Sequence, residues 1–119
     1  MELVAFVGND KENWGQVTAL INRLSDCEKV ILVKNKSSPS FPTTEKCKTI
    51  TVDSTKPLLQ LKQELKEKLK QEVSKEFEVV LSLASGNGKE HMALLSALLS
   101  VPVGIKLVAY TKQGIEFLT

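Results

Sequence analysis

Short apolar runs alternate with amphipathic stretches along most of this 119-residue chain. Residues 3–7 form a continuous apolar run followed by turn-forming residues 8–10, a pattern typical of a strand that is buried on both faces. Residues 30–33 and 49–53 are short and rich in β-branched side chains, so they predict the second and third strands. Residues 35–48 between them show no helical period, and we expect a loop with at most one helical turn near its end.

Two stretches between the predicted strands carry apolar side chains at spacings of three and four, the period of an amphipathic helix. The stripe of the first helix consists of Trp14, Val17, Leu20, Ile21 and Leu24. Asn9 or Asp10 precedes this helix and is its expected N-cap. The stripe of the second helix, which opens at Pro57, consists of Leu58, Leu61, Leu65, Leu69 and Val73. Glu64 and Lys68 are spaced to form a favourable ion pair on this helix.

A glycine-rich turn, residues 85–89, separates a fourth apolar run, residues 79–84, from a longer one, residues 92–99. The first run is short and β-branched at its start, whereas the second is rich in Leu and Ala. The pattern therefore predicts a strand, a turn and a helix. Residues 105–110 and 115–118 follow as a hairpin with a glycine in its connection.

This order of elements predicts an α/β fold, a Rossmann-like three-layer sandwich with a mostly parallel sheet and a C-terminal antiparallel hairpin. If the first three strands run outward in the order three, two, one, the fourth strand lies on the other side of the first. The turns at residues 8–10 and 85–89 then face each other across one crevice at a topological switch point, where such sheets form ligand sites. At this length we expect a single domain over residues 1–119.

Charge and composition argue against several classes of function. Sixteen basic and fourteen acidic side chains leave a net charge of +2, which gives no electrostatic footprint for duplex nucleic acid. No apolar run approaches the ~18 residues of a membrane span and no signal-peptide pattern is present, so we expect a cytoplasmic protein without a membrane partner. Cys27 and Cys47 lie far apart and His91 is the only histidine, so we expect no metal, disulfide or cofactor.

The glycine turn predicts an anion site, because it places backbone N–H groups, the positive end of a helix dipole and the Lys89 ammonium at the end of a strand. It is not a Walker A loop, which needs a glycine and a hydroxyl where Leu83 and Glu90 stand. The turn also departs from the dinucleotide-binding fingerprint, because His91 stands where that motif has its third glycine. The alternative is a structural turn, in which Asn87 caps the helix and Glu90 completes a capping box. Lys89 favours the anion site slightly, since an ammonium in the first helical turn opposes the dipole unless an anion is bound.

Three side chains near these turns have two interpretations each. His91 can titrate near neutral pH as an acid or base, but a lone histidine beside an apolar helix is more often a hydrogen-bonded boundary residue. Trp14 can stack on a base at the rim of the crevice or belong to the apolar stripe, which its periodicity favours. Asp10 can bind a ribose hydroxyl or cap the first helix, and capping is the safer interpretation.

A family resemblance rests on the segment Ser85-Gly86-Asn87-Gly88-Lys89-Glu90-His91-Met92 between a strand and an apolar helix. This segment resembles the threonine-glycine-glycine-threonine-lysine segment of CARF domains, the CRISPR-associated Rossmann-fold sensors. The terminal hairpin and the polar turn Gly8-Asn9-Asp10 are also similar to that family. The resemblance covers essentially the whole chain in element order, with Ser85 for the usual threonine and Asn87-Gly88 for glycine-threonine.

The resemblance implies a homodimer that holds a cyclic oligoadenylate, in particular the tetra-adenylate, across its two-fold axis. The implied ligand site comprises Gly8, Asn9, Asp10, Trp14, Ser85, Gly86, Asn87, Gly88, Lys89 and His91. Phosphates would meet the glycine turn and Lys89, while Asn9 and Asp10 would meet ribose or adenine. Family members usually carry an effector after this fold, and we expect none after Thr119. The protein is then expected to act through a separate effector chain, by sequestering the messenger or by hydrolysing it.

Two alternatives of a different class stay open. Some relatives cleave their ligand without a metal by positioning a ribose 2′-hydroxyl against its own phosphodiester, and Ser85 and Lys89 would then stabilise the developing charge. Asn9 stands in the first turn where cleavage would favour a hydroxyl side chain. The other alternative is an interaction module, in which the third helix and the hairpin form a dimer or bind a partner and no nucleotide is bound.

Overall fold

The chain folds as a three-layer α/β sandwich in a computed structural model that describes residues 1–73 and 78–119. The strands are β1 (Glu2–Val7), β2 (Lys29–Asn35), β3 (Cys47–Val52), β4 (Glu78–Ser82), β5 (Gly104–Thr111) and β6 (Gly114–Phe117). The helices are α1 (Trp14–Arg23), α2 (Leu58–Glu72) and α3 (Gly88–Leu99), and a short 3-10 helix, Lys11–Asn13, precedes α1. Every predicted strand and helix is present, which confirms the predicted fold class.

The six strands form one sheet in the order β3-β2-β1-β4-β5-β6. Neighbouring strands from β3 to β5 are parallel, whereas β5 and β6 pair as the predicted antiparallel hairpin. The chain moves outward from β1 through β2 to β3 and then returns to the other side of β1 with β4. The predicted switch point between β1 and β4 is therefore confirmed.

β1 is apolar beyond its first residue because each of its faces packs on a separate core. Val4 and Phe6 face a core shared with α2 and α3, whereas Leu3, Ala5 and Val7 face a core shared with α1. These two cores define the layers, with α1 on one face of the sheet and the other two helices on the opposite face. The carboxyl end of β1 thus lies at the centre of the sheet and is covered on both faces.

Two details near the helices differ from the sequence prediction. Leu58 is 39% exposed, because the buried stripe of α2 begins one turn later, at Leu61. Neither Asn9 nor Asp10 caps α1, since the 3-10 helix lies between them and its first residue and no side-chain cap is formed. The Glu64–Lys68 ion pair is present at 3.5 Å, as its spacing predicts.

The connection between the parallel strands β2 and β3 contains no helix, as predicted. It ends in a turn that is closed by a hydrogen bond from the Cys47 N–H to the Thr44 carbonyl at 3.1 Å. Phe41 anchors this loop, because its ring is buried in the core beneath α1. Within the described residues, no helix has both the length and the apolar character required to cross a membrane.

Candidate functional site

The turns after β1 and β4 meet at the carboxyl edge of the sheet, and hydrogen bonds join them directly. The Gly8 N–H donates to Ser85 Oγ at 2.9 Å, and Ser85 Oγ donates to Asp10 Oδ1 at 2.7 Å. The Gly86 N–H donates to the same Asp10 oxygen at 3.0 Å. The two turns come together as predicted, but they touch each other instead of facing each other across an open gap.

Glycine at two positions allows this close approach. A Cβ atom on Gly8 would lie 2.8 Å from Asp10 Oδ1 and 2.8 Å from the Cα of Gly86. Gly86 has a φ of +106°, which residues with a side chain rarely adopt. A Cβ atom there would lie 3.1 Å from both Phe6 and His91. The two glycines therefore set the spacing between the turns.

The carboxylate of Asp10 is the centre of this cross-link. Its second oxygen, Oδ2, accepts from Asn13 Nδ2 at 2.7 Å. Partial burial raises the pKa of Asp10, but the hydrogen bonds from Asn13, Ser85 and Gly86 together outweigh that effect and hold the pKa below its ordinary value of 3.8. Asp10 is therefore an ionised acceptor at neutral pH, and this bonding takes the place of the capping role that the sequence predicts.

Ser85 is fully buried between the two turns. Its hydroxyl accepts from the Gly8 N–H and donates to Asp10, so both of its hydrogen-bonding functions serve the protein. The serine therefore acts as a structural bridge here. Of the two residues that the sequence suggests for catalysis, Lys89 alone is exposed.

α3 begins with a complete capping box, as the structural interpretation of the turn predicts. The Glu90 N–H donates to Asn87 Oδ1 at 2.8 Å, and the Asn87 N–H donates to Glu90 Oε1 at 2.9 Å. Among the backbone amides of residues 86–90, those of Gly88 and Lys89 are left without an acceptor in the described part of the chain. These two N–H groups are the donors that remain available to a ligand at the positive end of the α3 dipole.

The loop after β3 reaches the same edge of the sheet through Ser54. Its hydroxyl donates to the second oxygen of Glu90 at 2.8 Å, and its carbonyl accepts from the Lys89 ammonium at 2.9 Å. Next to it, hydrogen bonds from Thr55 and the ammonium of Lys36 at 3.2 Å lower the pKa of Asp53 to about 2. Sequence reasoning does not single out Ser54, although its Asp-Ser-Thr context is a turn signal.

The β2–β3 loop also contacts the turn after β1. Ser38 Oγ donates to Asn9 Oδ1 at 2.7 Å, and the Lys34 ammonium donates to the Ser38 carbonyl at 3.2 Å. The side-chain NH2 group of Asn9 is consequently left as a donor at an exposed position. No sequence signal points to Ser38, because its position depends on the path of a long loop.

A cavity of about 200 Å³ lies beside the joined turns and is lined by Asn9, Asp10, Gly86, Asn87 and Glu90. Its walls combine two carboxylates, from Asp10 and Glu90, with two side-chain amides. The carbonyl oxygens of both amides accept protein hydrogen bonds, so their NH2 groups are the parts that remain for a ligand. We refer to this cavity as the switch-point cavity.

Trp14 and His91 support the turns without lining the switch-point cavity. Trp14 Nε1 donates to the Gly8 carbonyl at 3.0 Å, and its ring meets Phe41 edge-on with centroids 5.2 Å apart. The ring packs against the core beneath α1, as its periodicity favours. A ring nitrogen of His91 lies 2.7 Å from the Ser85 carbonyl, which agrees with a hydrogen-bonded boundary residue.

Comparison with known proteins does not assign a function to this site. No protein-family model matches the chain, and no curated protein matches its sequence. Within residues 1–73 and 78–119, no group of three or more His, Cys, Asp or Glu side chains is placed to hold a metal ion.

Proposed function

We propose that this chain is a sensor that binds a cyclic oligoadenylate, with the tetra-adenylate as the expected ring size, in the switch-point cavity and at the adjacent start of α3. The observation that supports it most directly is the glycine-rich start of α3, which lies beside a polar cavity at the switch point between β1 and β4. The element order and the terminal hairpin are also those of the CARF domains that the motif resembles.

The free hydrogen-bonding groups suit a nucleotide ligand. The N–H groups of Gly88 and Lys89 suit a phosphate oxygen at the positive end of α3. The Lys89 ammonium is exposed and donates to a neutral carbonyl, that of Ser54. A phosphate would replace that neutral acceptor with a charged one, and charge-assisted hydrogen bonds are about twice as strong as neutral ones. The NH2 groups of Asn9 and Asn87 would meet acceptors of the ribose or the base.

The proposal includes a homodimer. Three apolar side chains in and near α3 and β6 lie at the surface: Met92 is 57% exposed, Leu99 70% and Leu118 60%. A mainly apolar cavity of about 280 Å³ adjoins Leu118 and includes Leu83 and Leu107 in its wall. A second copy that covers these side chains would remove them from water, and a two-fold dimer of this kind would carry two ligand cavities. The same exposed side chains support the second candidate function, an interaction module that binds a partner chain and no nucleotide.

Calorimetric titration with cyclic tetra-adenylate tests the proposal. We expect one ring per two chains for the unmodified protein. Lys89→Ala should weaken binding at least tenfold, since a hydrogen bond to a charged group contributes about 1.5–3 kcal/mol. Lys70→Ala is the matched control, because it removes the same charge from an exposed position on α2 and should leave binding unchanged.

The outcomes separate the candidate functions. Absence of binding with the tetramer and with other ring sizes would reject the sensor and favour the interaction module. Chromatography of the titrated nucleotide shows whether the ring stays intact. Linear products that disappear with Lys89→Ala would replace the sensor with a metal-independent ring nuclease.

A further inference from the structure

The inner end of the glycine turn already holds an anion, which is supplied by the chain itself. The Ser85 hydroxyl and the Gly86 N–H both point to one oxygen of the Asp10 carboxylate, at 2.7 Å and 3.0 Å. Both donors belong to the segment that the sequence predicts to hold a phosphate. Because Asp10 is ionised at neutral pH, it satisfies these donors as a ligand phosphate oxygen would.

The space around these donors is closed as well. The turns approach so closely at Gly8 and Gly86 that even one added carbon atom on Gly8 would overlap Asp10 and the Gly86 backbone. A phosphate group is larger than a methyl group, so it cannot enter between the turns while Asp10 keeps its position. The next amide along the turn, that of Asn87, is taken by the carboxylate of Glu90.

We infer that Asp10 is a specificity-determining residue of the switch-point cavity: its carboxylate excludes phosphate from the inner donors of the glycine turn and confines it to the outer end, at Gly88 and Lys89. This inference rests on the proposed function, because it concerns how the same cavity chooses its ligand. Asp10 acts here through its position and its charge.

Two carboxylates narrow the class of ligand that the cavity accepts. Asp10 and Glu90, the latter only 5% exposed, place two carboxylates in the wall of one small cavity. Two negative charges in the wall of the cavity repel a ligand phosphate, and the repulsion increases with the charge of the phosphate. A phosphodiester carries a single negative charge, whereas a phosphomonoester carries nearly two at neutral pH. The cavity therefore favours a nucleotide whose phosphates are all diesters and discriminates against free phosphate and terminal phosphates.

The experiment is a nuclear magnetic resonance titration with inorganic phosphate at constant ionic strength, in which the Gly86 amide reports on the inner end of the turn. The variants are Asp10→Ala, which empties the inner position, and Asp10→Asn, which keeps its shape but removes the charge. Glu67→Ala and Glu67→Gln are the matched controls, because they remove one negative charge from an exposed position on α2. The Gly15 amide on α1 serves as the internal reference.

We expect no saturable shift of the Gly86 amide in the unmodified protein or in the Glu67 variants. Asp10→Ala should bind phosphate at least tenfold more tightly than the unmodified protein, with a saturable shift at Gly86 and none at Gly15. Asp10→Asn should show a smaller gain, since its amide still occupies the inner position.

A folded Asp10→Ala variant that binds phosphate no more tightly than the unmodified protein would overturn the inference. If Asp10→Ala does not fold, the isosteric Asp10→Asn decides by the same criterion, measured against Glu67→Gln. The proposed function is tested separately by cyclic tetra-adenylate. A gain in phosphate binding without any binding of the ring would support the role of Asp10 and reject the sensor.

Discussion

Gly8→Ala tests the closest contact of the site, the one between the turns after β1 and β4. The added Cβ atom would lie 2.8 Å from Asp10 Oδ1, 2.8 Å from the Gly86 Cα and 3.0 Å from the Gly86 nitrogen. Two of these neighbours are backbone atoms of the turn after β4, so a side-chain rotation cannot relieve the overlap. The turns must therefore separate.

The magnitude follows from two terms. Overpacking of a well-packed region costs about 1–3 kcal/mol. Separation of the turns also weakens the buried hydrogen bond from the Gly8 N–H to Ser85 Oγ, which contributes about 1 kcal/mol. We expect the free energy of unfolding to fall by roughly 2–4 kcal/mol. With a urea dependence of about 2 kcal/mol per molar, the midpoint should fall by roughly 1–2 M.

Urea unfolding followed by the fluorescence of Trp14 is a suitable assay, because the indole of this single tryptophan donates to the Gly8 carbonyl. Gly15→Ala and Gly88→Ala are the controls, since a Cβ atom at either position meets nothing within 4 Å. Gly15 lies in α1, and its replacement should stabilise the protein by up to about 1 kcal/mol through helix propensity. A Gly8→Ala midpoint equal to that of the unmodified protein, with an unchanged urea dependence, would refute the steric argument.

Two other predictions concern the capping box and the Asp10 carboxylate. Asn87→Ala removes the acceptor for the Glu90 N–H and should lower the free energy of unfolding by about 0.5–2 kcal/mol, measured by the same urea assay; no change would show that Asn87 contributes no cap. Because the pKa of Asp10 is lower in the folded chain than its ordinary 3.8, its ionised form contributes stability above that pH and loses it as the pH falls through the folded value. Thermal unfolding should therefore show a difference between the unmodified protein and Asp10→Asn that is constant near neutral pH and shrinks below about pH 4. A difference that stays constant down to about pH 2 would contradict this assignment.

Most of the fold can be predicted from the sequence, because each prediction depends on residues that are close in the chain or on a burial pattern that repeats. The uninterrupted apolar run of β1 indicates a strand between two layers, and the structure places a core on each of its faces. The capping box of α3 joins Asn87 to a residue three positions later, so its geometry is local. The periodic pattern includes Leu58, which is exposed in the structure, because the spacing of apolar residues does not show at which helical turn the buried stripe begins.

The sequence by itself determined the elements, their order and the two turns that follow β1 and β4, because hydrophobic period and turn chemistry are local properties. Only the tertiary structure decided how those turns use their donors. Asp10 and Ser85 are 75 positions apart, and Ser54 and Glu90 are 36 apart, so no local pattern relates them. A hydrogen bond forms only when the donor and the acceptor lie within a few tenths of an ångström of their preferred separation. That separation is set here by the packing of the whole sheet. For that reason Asp10 bridges two loops, although its place before a helix predicts a cap.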